Sequence, residues 1–333
     1  MLKWYQCEGA ENDVVISTKV HLSRNIKGYN FTVKLLDEEM YEISDKVEDV
    51  LESRLSGKFV ATPMEEMGRD LQISLAERGL ISPEFASSSF GRTIISTEDE
   101  SLSIMVCEED HLKIQALLPG IELEKAYELV DTLDQLLDSE LTFSFDEKLG
   151  YLTQCPTNIG TAMRASVTLQ LPALSIKGQI PKLSNMVSKL GLVLTGAYGG
   201  GDKPLGALFM LSNQVTLGIS EQAAIENLKA ISFSIAEQER TLRLELMNNL
   251  SFQDLFWRAM GTLKNARVLS LSEFMEQVAI AKVGLSEIDA PVEKINELLF
   301  AMQPATLNVE YGDSLDKRVR RIKRADRVRE IFR

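Results

Sequence analysis

Histidine and cysteine are scarce in this chain: His21, His111, Cys7, Cys107 and Cys155 are the whole supply in 333 residues. Two histidines this far apart argue against a zinc site, and no residues suggest another bound metal. Three scattered cysteines without a CxxC pair suit a reducing cytoplasm, not a disulfide framework. No apolar run approaches the roughly 18 residues of a membrane span, and Met1-Leu2-Lys3-Trp4 does not begin a signal-peptide pattern. Positive charge is short overall, with 36 Lys and Arg against 49 Asp and Glu, a net charge of -13. Such a body repels a duplex, so general nucleic-acid binding is not expected. What remains, 44% hydrophobic and 26% charged residues, describes a soluble protein of one large or two medium domains.

Periodicity divides the chain. Val14-Val15-Ile16, Thr93-Ile94-Ile95 and Leu102–Val106 are β-rich, while Leu112–Leu117 and Val167–Leu171 alternate with period two. Leu102–Val106 and Leu112–Leu117 are joined by Cys107-Glu108-Glu109-Asp110-His111, too short for anything but an antiparallel hairpin. Helical patterns cover Glu38 to Leu55 and Glu122 to Leu137. Beyond about Gly218 the pattern becomes helical, with Ala224, Ile225, Leu228, Ile231 and Ile235 forming one stripe. Ser270 with Glu273 spells a capping box, and Asp289-Ala290-Pro291 reads as another helix start. These patterns predict an α+β chain with a first domain over 1–220 and a helical domain over 221–333.

The most informative stretch is Cys155-Pro156-Thr157-Asn158-Ile159-Gly160-Thr161-Ala162-Met163-Arg164-Ala165-Ser166-Val167. It resembles the signature of the phosphagen kinases, which move a phosphoryl group from ATP to a guanidinium nitrogen. Glu11–Thr18, Glu108–His111, Phe145–Leu152, Ser212–Gly218 and Met302–Ala305 extend the likeness over nearly the whole chain, specifically to the bacterial protein arginine kinases. That resemblance implies an antiparallel sheet flanked by helices, carrying a MgATP site, and then a helical C-terminal domain. It also implies roles. Arg164 would grip phosphate, Glu109 would hold the acceptor guanidinium, and Cys155 would lie beside it, with Thr157 donating a hydrogen bond to its thiolate. Ser17, Lys19, His21, Lys113 and Ser166 fall on the nucleotide side. Arginine suits this work because its planar fork meets phosphate oxygens in pairs.

The pattern then breaks. Where the family reads Ser-Thr-Arg-x-Arg, this chain has Ser17-Thr18-Lys19-Val20-His21, and an expected arginine is Lys113. A histidine usual before Leu-Ile-Ser is Gly79. The Arg-Gly-x-x-Gly-Glu loop is here Thr195-Gly196-Ala197-Tyr198-Gly199-Gly200, so an arginine has become Thr195 and a glutamate Gly200. Of positions 19, 21, 113, 164 and 195, only Arg164 remains arginine. The glycines at 196–201 lack the Gly-Lys-Ser/Thr ending of a P-loop and read as a flexible loop without charged anchors.

From Lys317 to Arg333 the chain is strongly basic. The family's phosphoarginine-binding motif Arg-Asp-x-x-Arg-Ala is matched by Arg320, Arg324 and Ala325, but its aspartate is Arg321. A phosphorylated ligand, an acidic partner, or plain packing against acidic neighbours all suit this helix. The resemblance further implies a protein substrate or partner, a homodimer, an active kinase paralogue, a zinc-finger regulator and Clp-type unfoldase machinery. Three readings follow: a binding pseudokinase; an active kinase using Lys19, Lys113, Arg164 and Glu109; and a nucleotide sensor.

Overall fold

A computed structural model describes residues 1–197, 204–312 and 314–333. The glycine-run reading and Gly200 therefore lie largely outside the described residues. The strands are β1 (Val15–Arg24), β2 (Phe59–Pro63), β3 (Thr93–Thr97), β4 (Leu102–Val106), β5 (Leu112–Pro119), β6 (Phe145–Asp146), β7 (Gly150–Tyr151), β8 (Met163–Gln170), β9 (Leu192–Gly196) and β10 (Leu208–Asn213). The helices are α1 (Asp37–Leu55), α2 (Arg69–Glu77), α3 (Pro83–Ser87), α4 (Leu123–Leu141), α5 (Pro172–Ile176) and α6 (Ile180–Ser188). They continue with α7 (Glu221–Met247), α8 (Leu250–Asn265), α9 (Leu271–Val283), α10 (Val292–Ala301), α11 (Pro304–Tyr311) and α12 (Lys317–Ile331).

Among the described residues, eight strands form one antiparallel sheet in the order β2-β3-β4-β5-β1-β8-β10-β9; β6 and β7 make a separate hairpin. The Cys107–His111 connection joins β4 to β5 as the sequence predicts. β1 is longer than its β-rich start suggested. It runs on through Lys19 and His21, whose polar side chains alternate with buried Val20 and Leu22.

That alternation separates the faces of the sheet. One face, with Val20, Leu22, Ile114, Ala116, Val167, Leu169 and Leu211, packs under α1, α4, α6 and the first half of α7. The other is covered in two places. At one end α2 and α3 cover Ile94 and Met105, while the C-terminal helices bury Ile16, Leu117 and Leu208 in a second core with Phe256, Phe274 and Leu299. Between the covers lies a polar strip carrying Lys19, His21, Lys113, Arg164 and Ser166.

The Ser220 hydroxyl caps α7 at the Ala223 amide, and α7 contributes Ala224 and Ile225 to the first core and Leu246 to the second. The Ser270 hydroxyl accepts from the Glu273 amide, starting α9. The Asp289 start works differently. α10 begins at Val292 with Pro291, in an extended backbone conformation, at its N-cap and no side-chain cap. No helix among the described residues is long and apolar enough to cross a membrane.

Candidate active site

Register brings the cationic residues together. His21 lies opposite Arg164, and Lys19 lies opposite Ser166. On the other side of β1, Lys19 pairs with Leu117, His21 with Gln115 and Ser23 with Lys113. Because paired residues share a face, Lys19, His21, Lys113, Arg164 and Ser166 line one strip. The next row, Ser17, Thr168, Met210 and Thr195, carries the same face to the edge strand, where Thr195 is exposed. A neutral hydroxyl therefore stands where the resemblance implies an arginine.

The charges in this strip are unequal. Lys113 Nζ lies 3.1 and 3.3 Å from the Glu108 carboxylate, which also accepts from the Ser82 hydroxyl. Burial opposes ionisation of Glu108, but Lys113 and these hydrogen bonds outweigh it and lower its pKa. Lys113 is thus neutralised by a neighbour that sequence reasoning did not single out, although Glu108 stands in the quoted motif. Burial, aided by repulsion from Lys113, lowers the Lys19 pKa to about 8. Burial together with Lys113, Lys19 and Arg164 holds His21 well below its ordinary range, so it is neutral at pH 7. Arg164 donates through Nε and Nη2 to Asn158 Oδ1, at 3.3 and 3.0 Å, and through Nη1 to the Asn213 carbonyl at 3.2 Å. Among the described residues, neither Lys19 nor Arg164 has a carboxylate within ion-pair distance, and both keep their charge for an anion.

The departure at Gly79 has a local cause. The Gly79 amide donates to the Ala76 carbonyl and the Leu80 amide to the Leu75 carbonyl, closing α2 in a Schellman motif with Gly79 at φ +78°. A side chain there would be strained, and its Cβ would lie 3.8 Å from Lys19 Nζ.

The residues expected beside the acceptor are positioned by Asp110. Its Oδ1 accepts from the Gln154 amide and from Asn25 Nδ2, both at 2.7 Å. The same motif supplies His111, whose Nδ1 accepts from the Ile26 amide at 3.0 Å while Nε2 lies 2.6 Å from the Asn30 carbonyl. The loop bearing Glu109 is thereby tied to the residue before Cys155. Glu109 itself is exposed; burial and then Asp110 and Glu108 raise its pKa, against Lys113 and Arg164. Cys155 Sγ lies 3.0 Å from Thr157 Oγ1, the contact the sequence predicts. Asn25 and Ser82 carried no sequence signal and Asn213 only its place in the quoted Ser212–Gly218 stretch, because their roles exist only once the strands are paired.

The C-terminal basic residues stand apart from this strip. Arg324 is buried; its Nε donates to the Met302 carbonyl at 2.9 Å and its Nη1 to the Leu269 carbonyl at 3.1 Å. Burial first, then Arg320 and Arg321, lowers its pKa to about 10. The expectation of an open anion ligand at Arg324 is corrected: this guanidinium holds the end of α10 and the start of α9 together. Arg320 donates to the Leu315 carbonyl and is half-buried. Arg321 is also half-buried, and its carbonyl accepts from the Leu269 amide. In the second half of α12, Arg327 meets Glu297 and Glu330, and Arg329 meets Asp326, which is the packing against acidic neighbours that the sequence left open.

This combination of sheet, cation strip and an Asp110-tied loop beside the Cys155 turn defines a class. Residues 42–242 match the family model described as ATP:guanido phosphotransferase, C-terminal catalytic domain, and residues 249–333 match the protein-arginine kinase McsB C-terminal domain. Among solved structures, a duplicated taurocyamine kinase from Schistosoma mansoni with bound transition state analog components aligns with a TM-score of 0.62 at 26% identity. The alignment covers 70% of this chain and 34% of that one, so this chain spans only about a third of the duplicated enzyme. Lombricine kinase, at 23% identity and a TM-score of 0.61 over 73% of this chain and 70% of its own, shares the fold. A protein-arginine kinase of Clostridium acetobutylicum is 39% identical over 341 residues, covering 100% of both chains. One from Brevibacillus brevis is 38% identical over 338 residues, covering 99% of this chain and 95% of its own. The chain belongs to the protein-arginine kinase family.

Proposed function

We propose that this family member binds nucleotide phosphate but has largely lost phosphoryl transfer to arginine, and acts by binding as a regulatory pseudokinase. The observation that carries this reading is the charge inventory of the strip. Lys113 is neutralised by Glu108, His21 is neutral, and Thr195 offers only a hydroxyl. Lys19 and Arg164 remain for a polyphosphate, with Ser17 and Ser166 beside them. MgATP fits that arrangement as a donor, and would supply the phosphoryl group. Two cations suffice to attract it. Transfer needs charge spread over the moving phosphoryl, and loss of an arginine there costs roughly 10³–10⁵ in rate. Removing another oriented donor costs roughly 10²–10³ more, without strict additivity.

A second reading, an active kinase, draws support from the exposed Glu109 carboxylate and from Cys155 beside Thr157. The regulatory reading takes a protein partner in the cytoplasm: an active paralogue, a zinc-finger regulator, Clp-type unfoldase machinery or a second copy. Arg320 on α12 is its proposed anion contact.

The test combines MgATP with an arginine-rich protein and reads acid-labile phosphoarginine by mass spectrometry. Thermal stabilisation by MgATP without product is expected. Stoichiometric product would defeat the pseudokinase reading, and absence of stabilisation would defeat nucleotide binding. Thr195→Arg combined with Gly200→Glu should restore measurable transfer.

A further inference from the structure

Two buried polar side chains lie in the same strand row as His21 and have no part in the nucleotide reading. Strand pairing aligns His21 of β1 with Gln115 of β5, and Gln115 with Ser103 of β4. Gln115 and Ser103 are both buried. Gln115 Nε2 donates to the carbonyls of Gly79 and Leu80, each at 3.1 Å, and Ser103 Oγ donates to the Leu80 carbonyl at 3.4 Å. These bonds share one target, the turn that closes α2.

That turn lies against Lys19. A Cβ at Gly79 would fall 3.8 Å from Lys19 Nζ and 3.5 Å from Leu117 Cδ2, and Leu117 is the register partner of Lys19 on β5. The ammonium is thus flanked by the Gly79 backbone and an apolar side chain, and both exclude water. A buried amide keeps its place only while its donors are satisfied, so Gln115 and the turn fix each other. The strip presents His21, Lys113, Glu108 and Arg164 to Lys19. From the α2 side come Arg78, which meets Glu100 at 2.8 and 2.9 Å, and Glu77, which accepts from the Ala305 and Thr306 amides.

We propose that Gln115 is a positioning residue for nucleotide phosphate: it holds the Gly79–Leu80 turn against Lys19 and so keeps water from the ammonium. The inference rests on the nucleotide-binding reading of the strip. A dehydrated ammonium meets phosphate more strongly but gives up its proton more readily, because burial penalises the charge until an anion arrives. Burial is the first cause that brings the Lys19 pKa to about 8. Without the Gln115 amide, the two carbonyls turn to water, the turn lifts, and Lys19 titrates nearer its ordinary 10.5.

The experiment follows isotope-labelled lysine Cε signals of the full chain by NMR against pH, without nucleotide. The Lys19 signal is the one lost in Lys19→Met. Gln115→Met keeps the side-chain length and removes both donors, and should raise the Lys19 midpoint from about 8 to roughly 9 or above. Ser103→Ala removes the longer bond to the same turn and should shift the midpoint the same way by less. Ser270→Ala, which loosens α9, should leave it unchanged, separating positioning from general loss of stability. In calorimetric titrations MgATP affinity of Gln115→Met should be several-fold weaker at pH 7 yet flat to pH 9, where that of the unsubstituted chain falls about tenfold. An unsubstituted midpoint near 10.5, or one unmoved in Gln115→Met (in Ser103→Ala, should Gln115→Met not fold), would overturn the proposal. If the midpoint moves and MgATP does not bind, the nucleotide reading fails while the hold of Gln115 on Lys19 stands. If MgATP binds and the midpoint does not move, the positioning role fails alone.

Discussion

Lys19 governs how this site responds to pH. Its pKa of about 8 lies below the ordinary 10.5 because burial and Lys113 penalise its charge. The native protein loses this proton near pH 8 while the unfolded chain keeps it to about 10.5, so this residue makes stability rise with pH across that window. Anion binding has the opposite sign, since it needs the ammonium. Affinity for MgATP should be flat from pH 6.5 to 7.5 and fall about tenfold by pH 9, a trend Lys19→Met should abolish in calorimetric titrations. At Gly79 the backbone decides. Gly79→Ala forces a side chain into φ +78° and should cost about 1 kcal/mol, read from the urea midpoint. Glu108→Gln should release the Lys113 charge and tighten anion binding several-fold, provided Ser82 still holds the amide.

Helix ends set the relation between the parts of the molecule. Glu77, at the end of α2, accepts from the Ala305 and Thr306 amides and caps α11, two residues before Gly79 and the Lys19 side chain it adjoins. Arg324 ties α12 to the carbonyls of Met302 and Leu269. Arg324→Leu should leave those carbonyls unpaired and lower stability by about 2 kcal/mol, with a visible fall in melting temperature. Ser270→Ala removes one cap and should cost about 1 kcal/mol by the same measurement. Arg324 could not have been assigned from its motif. Burial is settled by α9 and α10, distant in sequence, and turns a residue that reads as a ligand into a strut.

On the scale of the whole molecule, the sheet places a polar strip between two apolar covers, and a buried ion pair holds the sheet to α4. Arg24 faces Asp134 with Nε–Oδ1 at 2.8 Å and Nη2–Oδ2 at 3.0 Å, both side chains buried. Asp134→Asn would strand that guanidinium and should destabilise by roughly 3–5 kcal/mol in chemical denaturation. Much of the architecture was legible beforehand: the β4–β5 hairpin, the helices α1 and α4, and the apolar stripe of α7 follow from period and turn length alone. β1 was read too short, because Lys19 and His21 break the apolar run that marks a strand, though their alternation with Val20 and Leu22 was there to find.

The linear order of residues determined the family likeness, the replacement of arginine by Thr195, and the excess of negative charge, since each is a matter of residue type at a known spacing. Only the tertiary structure decided which charges are free. Glu108 cancels Lys113, carbonyls occupy Arg324, and Lys19 and Arg164 are left facing the strip. The reason is electrostatic: a charge's availability depends on neighbours a few ångströms away, and those neighbours are brought together by strand pairing and helix packing.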